Sequence, residues 1–166
     1  MTKRSRKTGI IKLVILLLLV VGGGLLFIGA VSGWFNDSKV VLDAEYDCTD
    51  DCNSFIEVGA NQYQDLINEQ KSFIVLVDQG GCKTADRLRI FMGEWAKENH
   101  ERVVRMMFSE MKETSLHEFV KYYPSVVIIG KGEVKAYLKA DSDEDAEKYS
   151  SFDALDNWIR EYVDTE

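Results

Sequence analysis

The sequence predicts an α/β domain with the element order βαβαββα and a mixed central sheet, preceded by one N-terminal transmembrane helix. An uncharged run fills residues 13–35 near the N-terminus. Beyond it, short apolar runs alternate with amphipathic segments, which is typical of parallel strands joined by helices. Two strand-like runs near the C-terminus flank Gly130 to Gly132, and this spacing predicts an antiparallel hairpin.

The first 35 residues have the features of a single-pass cell-membrane anchor. They hold five basic residues and no acidic one, and every basic residue precedes residue 13. As a helix, the run 13–35 would span about 35 Å, against a hydrocarbon core of about 30 Å. We therefore expect residues 1–12 in the cytoplasm and the C-terminal part outside it. A cleaved signal peptide, cut after small residues such as Ala30 and Ser32, is the alternative, but its apolar core would be shorter, about 7 to 15 residues.

The part of the chain that follows the span is strongly acidic. Residues 36–166 hold 15 basic and 28 acidic residues, a net charge of −13. Such a charge argues against binding nucleic acid or anionic lipid headgroups. We divide this part into an acidic juxtamembrane arm, residues 36–54, and one globular domain, residues 55–166.

The arm carries two cysteines, Cys48 and Cys52, which are candidates for a disulfide in an oxidising compartment. A bond between residues four apart needs a turned backbone, because an extended one would separate the Cα atoms by about 13 Å, against a limit near 7 Å. Metal binding is the alternative, but no second pair or nearby histidine completes a zinc site. We predict no metal and no cofactor. A local bond and a bond to Cys82 both remain open, and we expect Cys82 to be the free thiol.

The central element of the domain is the strand Phe73–Val77, whose apolar and β-branched residues predict burial on both faces. The residues from Asp78 to Gly81 predict a turn. Cys82 then precedes an amphipathic helix, which places its thiol at a helix N-terminus. The helix dipole and the neighbouring Lys83 both favour the thiolate there.

The other elements follow from apolar spacing. Strand, helix and strand in succession imply a parallel pair with a crossover. Ser115 and Glu118 form a capping-box signature, which predicts a short helix that ends at Pro124. We expect further strands over Phe55–Val58, Val103–Phe108, Ser125–Ile129 and Glu133–Leu138, helices over Asn61–Gln70 and from Phe152 to Val163, and an acidic loop over Asp141–Glu147.

The chain from Phe55 to the C-terminus resembles the thioredoxin superfamily. The resemblance is carried by the apolar strand, by Cys82 at the start of the next helix, and by YYPSVVIIGKGEV at 122–134, which is similar to the family's cis-proline segment and final hairpin. It implies a thioredoxin-like three-layer sandwich with Pro124 in cis beside Cys82. It also implies that the backbone of the preceding residue, Tyr123, pairs with an extended substrate.

The sequence departs from the family's redox motif at three positions. The second cysteine of the motif is replaced by Ala85, so that the motif reads CKTA from Cys82 onward. The tryptophan before the first cysteine is Gly81, and the buried acid expected six residues before it is Leu76. A lone thiol can form a mixed disulfide, but a second molecule must release it.

Two functions fit these observations. In the first, Cys82 is the nucleophile of a monothiol exchange reaction or a capture device for exported thiol-containing proteins, and Pro124 and Tyr123 bind the substrate. Cys48 or Cys52 could then serve as a resolving partner. In the second, the domain is a non-catalytic binding or accessory module at the cell surface, which contacts a membrane partner protein and retains Cys82 without redox use. The sequence leaves open whether the protein is an enzyme.

Overall fold

The computed structural model describes residues 38–48 and 53–165 of the chain. The predicted cytoplasmic segment, the predicted membrane span and Cys52 lie outside these residues. Within the described ranges, none of the helices combines the length and the apolar character needed to cross a bilayer. Lys39–Glu166 forms one compact unit.

The strands and α-helices of the described part follow the order βαβαβαββα. The predicted order βαβαββα is therefore wrong by one strand and one helix, although each of the five strands expected over individual segments is present. The bounds are β1 Phe55–Glu57, α1 Ala60–Asn68, β2 Phe73–Asp78, α2 Lys83–Glu98, β3 Val103–Met107, α3 Phe108–Met111, β4 Ser125–Gly130, β5 Glu133–Tyr137 and α4 Phe152–Tyr162, with 3-10 helices at Ala44–Tyr46, Ser115–Glu118 and Ala146–Tyr149.

The five strands form one mixed sheet in the order β1-β3-β2-β4-β5. The strands β1, β3 and β2 are parallel, whereas β4 is antiparallel to β2 and β5 is antiparallel to β4. Because β2 lies at the centre, its neighbours satisfy its backbone hydrogen bonds on both sides. The predicted parallel pair and the predicted hairpin are both confirmed.

Helices cover both faces of the sheet, which produces three layers. Side chains alternate along a strand, and all six residues of β2 are buried. Ile74 and Leu76 join one apolar cluster with residues of α2 and α4, including Trp95 and Trp158. Phe73, Val75 and Val77 join a second cluster with Tyr63 of α1, Met111 of α3 and Leu116. The prediction of a strand buried on both faces is confirmed.

A two-residue turn joins β4 to β5. Both central residues have positive φ, 54° at Lys131 and 76° at Gly132, as a type I′ hairpin requires. A Cβ at Gly132 would lie 2.6 Å from the backbone oxygen of Ile67. Glycine is therefore needed at this position both for its conformation and for the close approach of α1.

Residues 39–48 of the predicted arm pack against the rest of the compact unit. Val40 donates its N–H to the carbonyl oxygen of Tyr162 and accepts the N–H of Asp164. Asp43 Oδ2 accepts the backbone N–H of Ser72 at 2.5 Å. Tyr46 is buried, with its ring centroid 5.7 Å from that of Phe73. The compact unit thus extends back beyond Phe55, where the sequence predicted the domain to begin.

The capping-box prediction at Ser115 is wrong in its details. The N-cap is Thr114, whose buried hydroxyl accepts the N–H of Leu116 and donates to the carbonyl of Met111. Because Thr114 is one residue earlier and is also a good cap, it takes the role that the spacing assigned to Ser115. The helix is a single 3-10 turn that ends at Glu118, well before Pro124.

Candidate functional site

The cysteine loop and the proline segment lie at the same edge of the sheet. Val77 near the end of β2 is paired with Ser125 at the start of the antiparallel strand β4. Pro124, which precedes Ser125, is therefore adjacent to the end of β2. The loop that leaves β2 at this edge runs through residues 79–82 and carries Cys82. The register brings this loop and the proline segment to the same edge.

Cys82 is the N-cap residue of α2. Its backbone is extended, with φ −118° and ψ 122°, and its carbonyl accepts the N–H of Asp86 at 3.0 Å. The thiol is free and the residue is partly exposed. Cys48 is disulfide-bonded, so a bond between Cys48 and Cys82 is excluded. The predicted free thiol and the predicted helix-terminal position are confirmed.

Two consecutive glycines, Gly80 and Gly81, precede Cys82 in the loop. Gly81 has φ +88°, a conformation that residues with a Cβ rarely adopt, and an added Cβ would meet no atom within 4 Å. Gly80 is exposed and also has open space around it. The turn thus depends on the backbone freedom of Gly81, while neither glycine contributes a side-chain contact.

The proline segment contributes a cis peptide bond and an aromatic ring that contacts the ring of Phe108. The bond between Tyr123 and Pro124 is cis, as the resemblance implies. Pro124 is buried, and the ring centroid of Tyr123 lies 4.8 Å from that of Phe108 at the start of α3. Ser125 Oγ donates to the carbonyl of Leu138 at 2.6 Å, which fixes the start of β4 to the residue after β5.

A cleft of about 240 Å³ lies beside the segment that precedes the proline. Aromatic rings form part of its wall, with Phe119 and Tyr137 in edge contact at 5.8 Å and Tyr122 58% exposed. Lys139 lies over the Tyr137 ring at 5.9 Å. The wall thus combines aromatic rings with side chains of both charges. The lining residues are 118–122 and 137–141.

A buried carboxylate, Asp78, lies at the end of β2, immediately before the cysteine loop. Its side chain is 0% exposed, its Oδ2 accepts Arg89 Nε at 2.7 Å, and its Oδ1 accepts Arg105 Nε at 2.9 Å. Arg105 Nη1 also binds Glu57 Oε1 at 2.7 Å, and Arg89 Nη2 lies 3.3 Å from Asp86 Oδ1. Five charged groups therefore form one network beside the loop.

This network corrects the sequence interpretation at two positions. Asp78 was assigned to a turn, yet it is the last residue of β2 and fully buried. The sequence has Leu76 at the position where the resemblance implies a buried acid, but the structure has a buried acid, Asp78, two residues later. The signal that could have found it is Arg105, a charged residue within the otherwise apolar strand β3, because a charge in a buried strand requires a partner.

The surroundings of Arg105 keep it charged. Burial lowers its pKa, but hydrogen bonds to Glu57 and Asp78 and the two negative charges outweigh burial, and the net pKa is raised above the ordinary value. Both oxygens of Asp78 are occupied by separate guanidinium groups. The carboxylate is therefore fixed in orientation and compensated in charge.

Across residues 38–48 and 53–165, no group of three or more histidine, cysteine and acidic side chains could hold a metal ion. In the acidic loop, Asp145 instead accepts the Lys139 N–H at 2.8 Å and lies 2.7 Å from Lys148 Nζ. The chemical groups that the structure places at this edge of the sheet are a thiol, an aromatic pair, a proline and a buried ion cluster.

The fold is that of the thioredoxin-like proteins. Thioredoxin NaTrxh from Nicotiana alata superposes with a TM-score of 0.54 at 12% identity, over 70% of this chain and 98% of that one. Oxidised thioredoxin from Plasmodium falciparum gives 0.50 at 16% identity, over 68% and 100% of the two chains. Schistosoma mansoni thioredoxin pre-protein gives 0.50 at 15% identity, over 67% and 100%.

These similarities are structural. No family model matches the sequence, and no curated protein matches it either. At identities this low, the shared architecture identifies the fold, while the function has to be argued from the site itself.

Proposed function

We propose that the protein carries out thiol-disulfide chemistry at Cys82 as a membrane-anchored, extracytoplasmic protein. The observation that carries this proposal is that Cys82 is a free, partly exposed thiol at the N-cap of a 16-residue helix. A helix N-terminus stabilises negative charge and therefore favours the reactive thiolate. The proline segment at the same sheet edge supplies Pro124 and Tyr123 as substrate-binding residues.

The reaction is a thiol-disulfide exchange. The Cys82 thiolate attacks one sulfur of a substrate disulfide, a new bond forms between Cys82 Sγ and that sulfur, and the other sulfur leaves as a thiolate. The Cys82 proton is released to solvent before the attack. Since Ala85 occupies the position of a resolving cysteine, a second thiol molecule completes the cycle: its thiolate attacks the captured substrate sulfur, forms a new disulfide with it, and expels Cys82 as a thiolate.

The proposed location has two supports. The uncharged run 13–35 behind a basic segment favours an anchored chain with its C-terminal part outside the cytoplasm. The disulfide at Cys48 fits an oxidising compartment. An exported protein whose thiols have formed a disulfide is accordingly the substrate class that we propose.

The chemistry can be tested on the full chain in detergent micelles. An aromatic disulfide that releases a coloured thiolate would be mixed with wild type and with the Cys82→Ser variant near pH 7. We expect one mixed disulfide on Cys82, formed at least about tenfold faster than on an unstructured peptide thiol, and none on the variant. A rate equal to that of the peptide would refute the proposal.

The location has its own test. A membrane-impermeant thiol label applied to intact cells should modify Cys82, because this thiol is free and partly exposed. Cys82→Ser cells provide the background. Labelling that requires cell lysis would place the domain on the cytoplasmic side and overturn the assignment.

A second candidate function is a binding or accessory module that keeps the thioredoxin-like groove without exchange chemistry. The observation that favours it is Ala85, which is buried in the first turn of α2 where a resolving thiol would lie. Cells that carry Cys82→Ser distinguish the two functions. An unchanged phenotype supports the binding module, whereas loss of function supports chemistry at Cys82.

A further inference from the structure

One ion pair with a buried carboxylate connects the strand before the cysteine loop to the helix after it. Asp78 is the last residue of β2 and Arg89 lies in the second turn of α2, and their side chains meet at 2.7 Å across 11 residues of sequence. The loop that carries Cys82 lies between them. A contact of this kind fixes the start of α2 relative to the end of β2.

A second contact fixes the carboxylate itself. Arg105 belongs to β3, which is paired with β2, and it binds the other oxygen of Asp78 at 2.9 Å. Because each oxygen has its own guanidinium partner, rotation of the carboxylate would break one of the two bonds. The fully buried carboxylate of Asp78 thereby fixes the position of Arg89, and with it α2, relative to the sheet.

The two glycines of the loop contribute no side-chain contact that would fix the cysteine. Gly80 and Gly81 have no side chains, and a Cβ at either would touch nothing within 4 Å. Cys82 makes no side-chain capping hydrogen bond to the first turn of α2. The position of the thiol at the helix terminus therefore depends on contacts made on either side of the loop.

We propose that Asp78, clasped between Arg89 and Arg105, is a positioning group that holds Cys82 at the N-terminus of α2. This inference rests on the proposed thiol chemistry, since its effect is seen in the reactivity of Cys82. We call the two ion pairs of Asp78, with Arg89 and with Arg105, the clasp. Loss of the clasp lets the first turn of α2 fray, and the thiol then loses the favourable field of the helix terminus. Asp78 acts through the backbone and does not contact the reacting sulfur.

The clasp can be distinguished from a simple charge effect. Replacing Asp78 by asparagine removes a negative charge near the thiol, and charge alone would then make the thiolate easier to form. Loss of the contact that positions Cys82 would instead make the thiolate harder to form. The direction of change in Asp78→Asn therefore separates the two explanations.

The experiment measures the rate of Cys82 alkylation by a small neutral reagent as a function of pH on the full chain. For Asp78→Asn and Arg89→Gln we expect rates about five- to tenfold lower near pH 7 and a rate profile displaced to higher pH. Arg89→Lys, which keeps the charge but loses the fork of donors, should fall between Arg89→Gln and wild type.

The matched control is Arg87→Gln. Arg87 is exposed on the same helix, closer in sequence to Cys82, and forms no ion pair with the described residues. Its removal should change the rate less than about twofold. If Arg87→Gln and Arg89→Gln lower the rate equally, the effect is one of charge and the clasp proposal is overturned.

The outcomes separate this inference from the proposed function. A wild-type rate no faster than that of a peptide thiol refutes the chemistry at Cys82. A fast wild type with equally fast Asp78→Asn and Arg89→Gln variants refutes the clasp and leaves the chemistry intact. Thermal melts of each variant identify any that is unfolded, and if Asp78→Asn does not fold, the comparison of Arg89→Gln, Arg89→Lys and Arg87→Gln decides the question.

Discussion

Cys82 caps α2, and Ala85 is buried in the first turn of the same helix, three residues later. These two residues occupy the positions at which a C-x-x-C motif would hold its pair of sulfurs. The scaffold for a dithiol is therefore present, and one methyl group stands where the second sulfur would be.

Ala85→Cys should convert the protein into a dithiol. After Cys82 reacts with an aromatic disulfide, the new thiol attacks the mixed disulfide and expels the second aromatic thiolate. We expect two thiolates released per protein and an intact mass that shows no adduct at the site. Wild type should release one thiolate and keep one adduct.

Thr84→Cys is the matched control for this prediction. Thr84 is exposed on the same turn, and residues two apart on a helix do not face each other. The variant should also release two thiolates but should carry two adducts. Adducts retained at both positions of Ala85→Cys would show that the turn cannot hold a pair of bonded sulfurs.

Gly81→Ala should destabilise the protein through the backbone alone. The φ of +88° is unfavourable for alanine, while an added Cβ would meet nothing within 4 Å. We expect a loss of about 1–2 kcal/mol in the free energy of unfolding, measured by urea denaturation. Gly80→Ala also has open space but no positive φ, and it should cost less than about 0.5 kcal/mol. Equal losses in the two variants would contradict the proposed role of the φ angle.

Glu101 should make stability depend on pH near neutrality. Burial first, and then the charge of Asp47, raise its pKa from 4.5 to about 7, and the two residues face each other across an isolated antiparallel bridge. The folded state therefore holds more protons than the unfolded state between about pH 4.5 and pH 7. Stability should fall as pH rises through this window and should stay reduced above it.

The substitution Glu101→Gln should remove this loss of stability at higher pH. At about pH 8 the variant should be more stable than wild type by on the order of 1–3 kcal/mol, and the difference should shrink towards pH 4.5. Thermal unfolding at a series of pH values measures it. Glu94→Gln, an exposed position on α2, should leave the pH dependence of wild type unchanged. If the stability of Glu101→Gln varied with pH in parallel with that of wild type, the assignment of this pH dependence to Glu101 would be refuted.

Tyr46→Ala should destabilise the whole domain, because the Tyr46 side chain belongs to its core. Tyr46 is 2% exposed and packs on the Phe73 ring. Truncation of a buried aromatic side chain costs about 3–5 kcal/mol, which urea denaturation would detect as a lower midpoint. Val41→Ala, at a side chain that is 69% exposed, should change stability by less than about 0.5 kcal/mol. A midpoint unchanged in Tyr46→Ala would mean that the segment detaches without cost.

The sequence predicted the features that depend on neighbouring residues. The apolar run of β2, the helical spacing after Cys82 and the glycines around Lys131 are local patterns, and all three appear in the structure. The positions of the five strands followed because short strands and helices alternate along the chain. The cis bond before Pro124 was implied by the resemblance alone, since nothing local distinguishes it from a trans bond.

The features that the sequence did not predict depend on distant residues. The charge of the buried Asp78 is compensated by Arg89 and by Arg105, and Arg105, 27 residues later, is brought beside it by the pairing of β2 with β3. The packing of Tyr46 on Phe73 likewise requires the folded sheet. At Thr114 two adjacent residues compete for one capping role, and the tertiary burial of Thr114 decides between them.

The bridge between Val40 and Val163 has a consequence for the connectivity of the unit. The residues that enter and leave the fold lie side by side, so a short linker could join them without distorting either. A circularly permuted chain, opened next to the exposed residues 143 and 144, should then reach the same architecture. The order in which the elements are synthesised would be dispensable, whereas the strand pairing that surrounds β2 would not.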